Sequence, residues 1–126
     1  GLVQVAAAGP VSNLILCVAA ALVLRLLLAL PPVFPGTTAT LFRALGFALQ
    51  INLALAFFNL IPVHPLDGSK ILAGLLPLEW SLSYERHAPF GVAIIMALLF
   101  TGVLRYLVAV PSNIFLILLT RVLGLA

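Results

Sequence analysis

The stretch Asn59-Leu60-Ile61-Pro62-Val63-His64-Pro65-Leu66-Asp67-Gly68 sets a carboxylate into a chain that is otherwise almost free of charge. A charged side chain at bilayer depth costs on the order of 3 kcal/mol even on lenient insertion scales, so Asp67 is expected to serve a function rather than the fold. Pro62 and Pro65 flank Val63-His64, remove backbone donors and end any helix arriving from the amino-terminal side. Irregular backbone of this kind is tolerated at membrane depth only where protein encloses it or a wet cavity faces it. An active site supplies such a cavity, and an unwound segment there could pair with an extended substrate.

The elements that must hold these residues are membrane spans. Of the 126 residues 64% are hydrophobic and 7% charged, and the mean hydropathy is +1.32. Six basic and three acidic side chains cannot coat a soluble body of this size. The net charge of +3 comes from scattered Arg and Lys with no basic run, which argues against a nucleic-acid partner and makes the lipid bilayer the surroundings. Cys17, the single cysteine, excludes an intrachain disulfide and reads as a small packing residue.

Apolar segments separated by proline-rich breaks predict an all-α, polytopic transmembrane bundle with spans at 10–30, 41–61 and 90–110 and a possible fourth at 113–125. The first would be ~31 Å long, enough for a hydrocarbon core of about 30 Å. Pro31-Pro32-Val33-Phe34-Pro35-Gly36 reads as a turn, and Pro111 as the break before the tail. A short amphipathic helix is expected from Ser69 to Leu76. Glu79, Glu85, Arg86 and His87 read as a solvated loop, with Trp80 and Tyr84 in an interfacial aromatic belt. Lys70 and Arg86 in the loop after Asp67 place that face in the cytoplasm by the positive-inside tendency, in what is expected to be the cell membrane.

If the first two spans are antiparallel neighbours, the beginning of the first and the end of the second share a membrane face, which sets Gly9, Pro10 and Asn13 beside Asn59 and Asp67. Gly9, Asn13, Cys17 and Ala21 recur every four residues, and Ala48, Asn52, Ala56 and Asn59 form a similar stripe. Small residues at this spacing let membrane helices approach closely, with asparagines as hydrogen-bonding glue. Asn52 fits the glue role, whereas Asn59, close to Asp67 in the chain, is read as functional.

Asn59-Leu60-Ile61-Pro62 followed by Pro65-Leu66-Asp67-Gly68 resembles the Asn-x-x-Pro-x-x-x-x-Asp-Gly signature of the site-2 proteases, the intramembrane zinc metalloproteases. Ala8-Gly9-Pro10 followed by Asn13 is similar to that family's Gly-Pro-x-x-Asn element. The resemblance implies hydrolysis of peptide bonds within transmembrane segments of substrate proteins, such as signalling or anchor proteins and remnant signal peptides. It implies zinc as cofactor, Asp67 as a zinc ligand and Asn59 as a holder of substrate or the developing oxyanion. Gly9, Pro10, Asn13, Pro62, Pro65 and Gly68 would shape the site. Ser69 stands where many members have a second Gly.

Such enzymes draw two further ligands and a general base from a His-Glu-x-x-His helix. The sequence contains none: its histidines, His64 and His87, are far apart and lack that spacing. His64 reads as a spacer at a wet interface more readily than as an auxiliary metal or proton-relay group. With Gly1 leading straight into apolar residues, no signal peptide is expected, and the chain reads as a carboxyl-terminal part whose metal-binding helices lie upstream, inactive alone. Two alternatives remain at this stage: a non-catalytic relative that binds membrane helices as a scaffold, and an ion-coupled transporter subunit with Asp67 as the ion site.

Overall fold

A computed structural model describes residues 1–32 and 34–125; Val33, within the expected proline-rich turn, and Ala126 lie outside the described residues. The described residues are helical and contain no strand. Helix α1 spans Leu2–Ala29, α2 Pro35–Asn59, α3 Asp67–Leu75, α4 Leu78–Glu85, α5 Gly91–Thr101 and α6 Val103–Leu123, with a 3₁₀ turn at Ala88–Phe90. Three of these, α1, α2 and α6, are long and apolar enough to cross a membrane.

The helix boundaries follow from where proline can and cannot sit. Pro35 opens α2, where a missing N–H costs nothing because the first helical donors have no intrahelical partner. The Thr38 and Thr40 hydroxyls donate to the carbonyls of Phe34 and Gly36, so α2 begins ahead of the expected apolar span at 41. Pro10, read from the sequence as the start of a span, lies inside α1, because the Ala-rich run before it is already helical.

The carboxyl-terminal third departs most from expectation. A span at 90–110 followed by a break at Pro111 is not what forms: the break falls at Gly102, whose φ of 80° is left-handed, and Pro111 is carried inside α6. Glycine takes that conformation without a Cβ clash, and a membrane helix tolerates an internal proline when neighbouring groups satisfy the freed carbonyl. The 11 residues of α5 reach only ~16 Å, too short to span.

Packing aligns the long helices. Cys17, Ala20 and Ala21 of α1 are buried against Leu49 and Leu53 of α2, with Phe115 and Leu116 of α6 closing the cluster. A second cluster joins Ile61 and Leu66, in the segment between α2 and α3, to Leu104 at the beginning of α6, with Ile95 and Leu98 of α5 around it. At the other end of the bundle Arg25 Nε donates to the Leu123 carbonyl at 3.0 Å. Helices α1 and α6 therefore run away from the end carrying Asp67, and α2 runs toward it. Helix α5 starts against the His64 carbonyl through Gly91 and finishes just before Leu104, so both of its ends lie near the Asp67 end.

Candidate active site

Asp67 is the first residue of α3, where a carboxylate complements the partial positive charge of the helix amino terminus. The chain reaches it through an irregular segment braced by its own backbone: Val63 N–H donates to the Ile61 carbonyl at 2.8 Å and Leu66 N–H to the Val63 carbonyl at 2.9 Å, and the His64–Pro65 peptide is cis. Gly68 follows because nothing larger fits; an added Cβ would lie 2.2 Å from the Leu60 carbonyl oxygen and 2.5 Å from that of Ile61. Ser69, fully buried, donates its hydroxyl to the Leu66 carbonyl at 2.6 Å, occupying the place where a second glycine was the alternative.

The other motif arrives from α1. A Cβ on Gly9 would stand 3.1 Å from Asp67 Oδ2, so the glycine is what lets α1 pass directly in front of the carboxylate. Gly74 in α3 plays the matching part, its Cα side lying against Val3, where a Cβ would be 2.1 Å from Cγ2. Pro10 is buried beside Gly9 and has no N–H to give the Ala6 carbonyl. Ala6, Leu2 and Val5 of α1, Ala73 and Gly74 of α3, and the polar Asp67, Lys70 and Glu85 line a cavity of about 420 Å³.

The structure thus brings Gly9, Pro10, Gly68 and Asp67 together. Asn13 is half-buried one turn further along α1, and neither it nor Asn59 lines the cavity. Asn59 Nδ2 instead donates to the Leu55 carbonyl one turn back at 2.9 Å, as Asn52 does to Ala48 at 2.8 Å. The bond to Leu55 uses one of the two Asn59 amide N–H donors and leaves the other for a further acceptor.

Glu85 is the residue that sequence reasoning missed. Expected in a solvated loop, it ends helix α4 and faces the same cavity as Asp67. Its Oε2 lies 3.4 Å from His64 Nε2, within charge-pair reach but without hydrogen-bond geometry. Tyr84 donates its hydroxyl to the Pro62 carbonyl and sets its ring 5.0 Å from the His64 imidazole. Burial first, and the Glu85 carboxylate second, push the Tyr84 phenol upward, which keeps it a donor. His64 is therefore enclosed by α4 and not a free spacer. No signal short of the fold could have paired residues this far apart in the chain.

A catalytic zinc takes three protein ligands. Among the described residues no group of three His, Cys, Asp or Glu side chains is placed to hold a metal ion. The described residues by themselves do not present a complete metal site.

Two motifs meet at one carboxylate in an all-helical bundle with three helices long and apolar enough to cross a membrane. The chain belongs to peptidase family M50, matched over residues 32–102. It is 33% identical over 105 residues, 82% of its length, to the protein named "Putative zinc metalloprotease YwhC" of Bacillus subtilis (strain 168). The chain spans 48% of that relative. No solved structure matches it.

Proposed function

We propose that this chain is the Asp-bearing part of a zinc metalloendopeptidase that hydrolyses peptide bonds in the transmembrane segments of other proteins of the cell membrane. The observation that carries the reading is the close approach of Gly9 to the Asp67 carboxylate, where an added Cβ would stand 3.1 Å from Oδ2, so that two separate family-type motifs come together. Asp67 is one zinc ligand in this proposal, and the remaining ligands and the general base come from a His-Glu-x-x-His helix outside these residues. When bound, such a zinc lowers the pKa of its water to about 7 and supplies hydroxide for amide hydrolysis. This chain's own contribution is to hold the carboxylate at the head of α3, to keep α1 close through Gly9, and to enclose the site with apolar side chains. Asn59, through its second amide N–H, would steady substrate or oxyanion.

The test is cleavage of a tagged single-span substrate by the full-length protein in membranes, with zinc content measured in parallel. Asp67→Ala is expected to abolish cleavage and reduce bound zinc. Full activity and full zinc in that variant would overturn the assignment.

A further inference from the structure

A cleft of about 350 Å³ lies between α2 and α6 and shares no lining residue with the Asp67 cavity. Its walls carry Gln50 on α2 and Arg105, Ser112 and Asn113 on α6, with Ala54 and Ala109 leaving the two backbones accessible. Ser112 Oγ is buried with no hydrogen-bond partner among the described residues. The ion pair found among those residues is His64 with Glu85, so Arg105 has no carboxylate of its own, only the Tyr106 ring 6.0 Å away. Arg105 lies at the membrane face, but Gln50, Ser112 and Asn113 lie deeper, and polar groups left facing hydrocarbon are costly, so the cleft calls for an occupant that satisfies them.

Depth decides what that occupant is. Gln50 precedes the end of α2 at Asn59 by roughly 13 Å of helix, and Ser112 and Asn113 lie a similar distance down α6. Half of a hydrocarbon core of about 30 Å is about 15 Å. A phospholipid presents only acyl chain at that level, which cannot pair with amides and a hydroxyl. A helix can, through its side chains, and small residues such as Ala54 and Ala109 are what a third helix needs for close approach. The segment that completes the metal site must reach Asp67 and so belongs at the other cavity, on α1 and α3.

We propose that the α2–α6 cleft seats a transmembrane helix of a partner protein, one carrying a carboxamide level with Gln50 and Asn113 and a carboxylate about two turns nearer the Asp67 end, facing Arg105. Excluding this protein's own metal-site segment from the cleft rests on the protease reading, whereas the peptide association below is read without any measure of cleavage.

The probe is a synthetic Leu/Ala transmembrane peptide with one Asn and one Glu at those heights, its association with the full-length protein in phosphatidylcholine nanodiscs read by energy transfer. Replacing the peptide's Asn by Leu is expected to weaken association about threefold, the measured scale of one interhelical hydrogen bond. Gln50→Leu with Asn113→Leu should erase the difference between the two peptides, and Arg105→Gln should erase the preference for Glu over Gln. Ile15→Val, on the lipid-facing side of α1, should change neither. Equal association of all peptides with the wild type would overturn the proposal, whether because a helix of the same protein already fills the cleft or because nothing binds there. A preference that survives the Gln50, Asn113 and Arg105 substitutions would overturn it too, by locating the contact elsewhere.

Discussion

Asp67 and Gly68 carry different burdens that adjacent substitutions separate. Asp67→Asn keeps the shape and removes the charge, and in the full-length protein it is expected to lose zinc and cleavage while the membrane domain stays folded. Gly68→Ala does the reverse: its Cβ would meet the Leu60 carbonyl at 2.2 Å, and backbone cannot yield as a flexible side chain can. Overpacking of this kind costs typically 1–3 kcal/mol. A lowered unfolding midpoint in detergent, with activity lost in proportion to folded protein, is the outcome to measure. Asn59→Ala should leave zinc bound and slow turnover ~100-fold if the amide reaches the oxyanion. Because the oxyanion develops only after substrate has bound, the loss should appear in kcat more than in KM. Zinc lost on removing Asn59 would instead tie that residue to the metal site.

At the scale of elements, α4 matters most for the site, since it straps the segment between α2 and α3 through Tyr84, His64 and Glu85. Tyr84→Phe removes one donor to the Pro62 carbonyl, a loss of about 1 kcal/mol. It is expected to quicken hydrogen exchange of the Val63 and Leu66 amides without disturbing α1 or α2. The pH dependence has a definite sign: the neutral phenol is favoured in the folded state, so the contact is complete below the ordinary phenol value and is lost as pH rises through the raised one. Unchanged exchange in the Phe variant would show that α4 rests on the segment without holding it. Helix α5 is the other element to test. With its two ends near the Asp67 end, cysteines at Phe90 and Thr101, in a Cys17→Ala background, should react with an impermeant thiol reagent from one side and a cysteine at Arg121 from the opposite side. Labelling of positions 90 and 101 from opposite sides would restore a span there.

For the whole molecule, a single family-type ligand means that the 126 residues alone should hold zinc no better than weakly. Stoichiometric zinc surviving dialysis against a mild chelator would show that other ligands had been overlooked. Orientation in the bilayer is also a property of the whole. Lys70 and Arg86 by themselves point their face to the cytoplasm, but the fold sets Arg105 at that end and Arg25 and Arg121 at the other, with Arg43 in the half of α2 nearer Arg25. Three basic residues toward each end remove the charge asymmetry on which the positive-inside argument depends.

Membrane residence, the all-helical class, the pairing of the first two long helices and the approach of Gly9 to Asp67 were legible in the residues, because lipid solvation and proline chemistry act on composition and spacing alone. Where the last span begins was not, because Pro111 and Gly102 are both permissible breaks and only packing around Leu104 selects the glycine. The recruitment of Glu85 and Tyr84 to the site likewise came from tertiary structure. Their contacts join residues distant in the chain, and no local periodicity records which helix a side chain will meet.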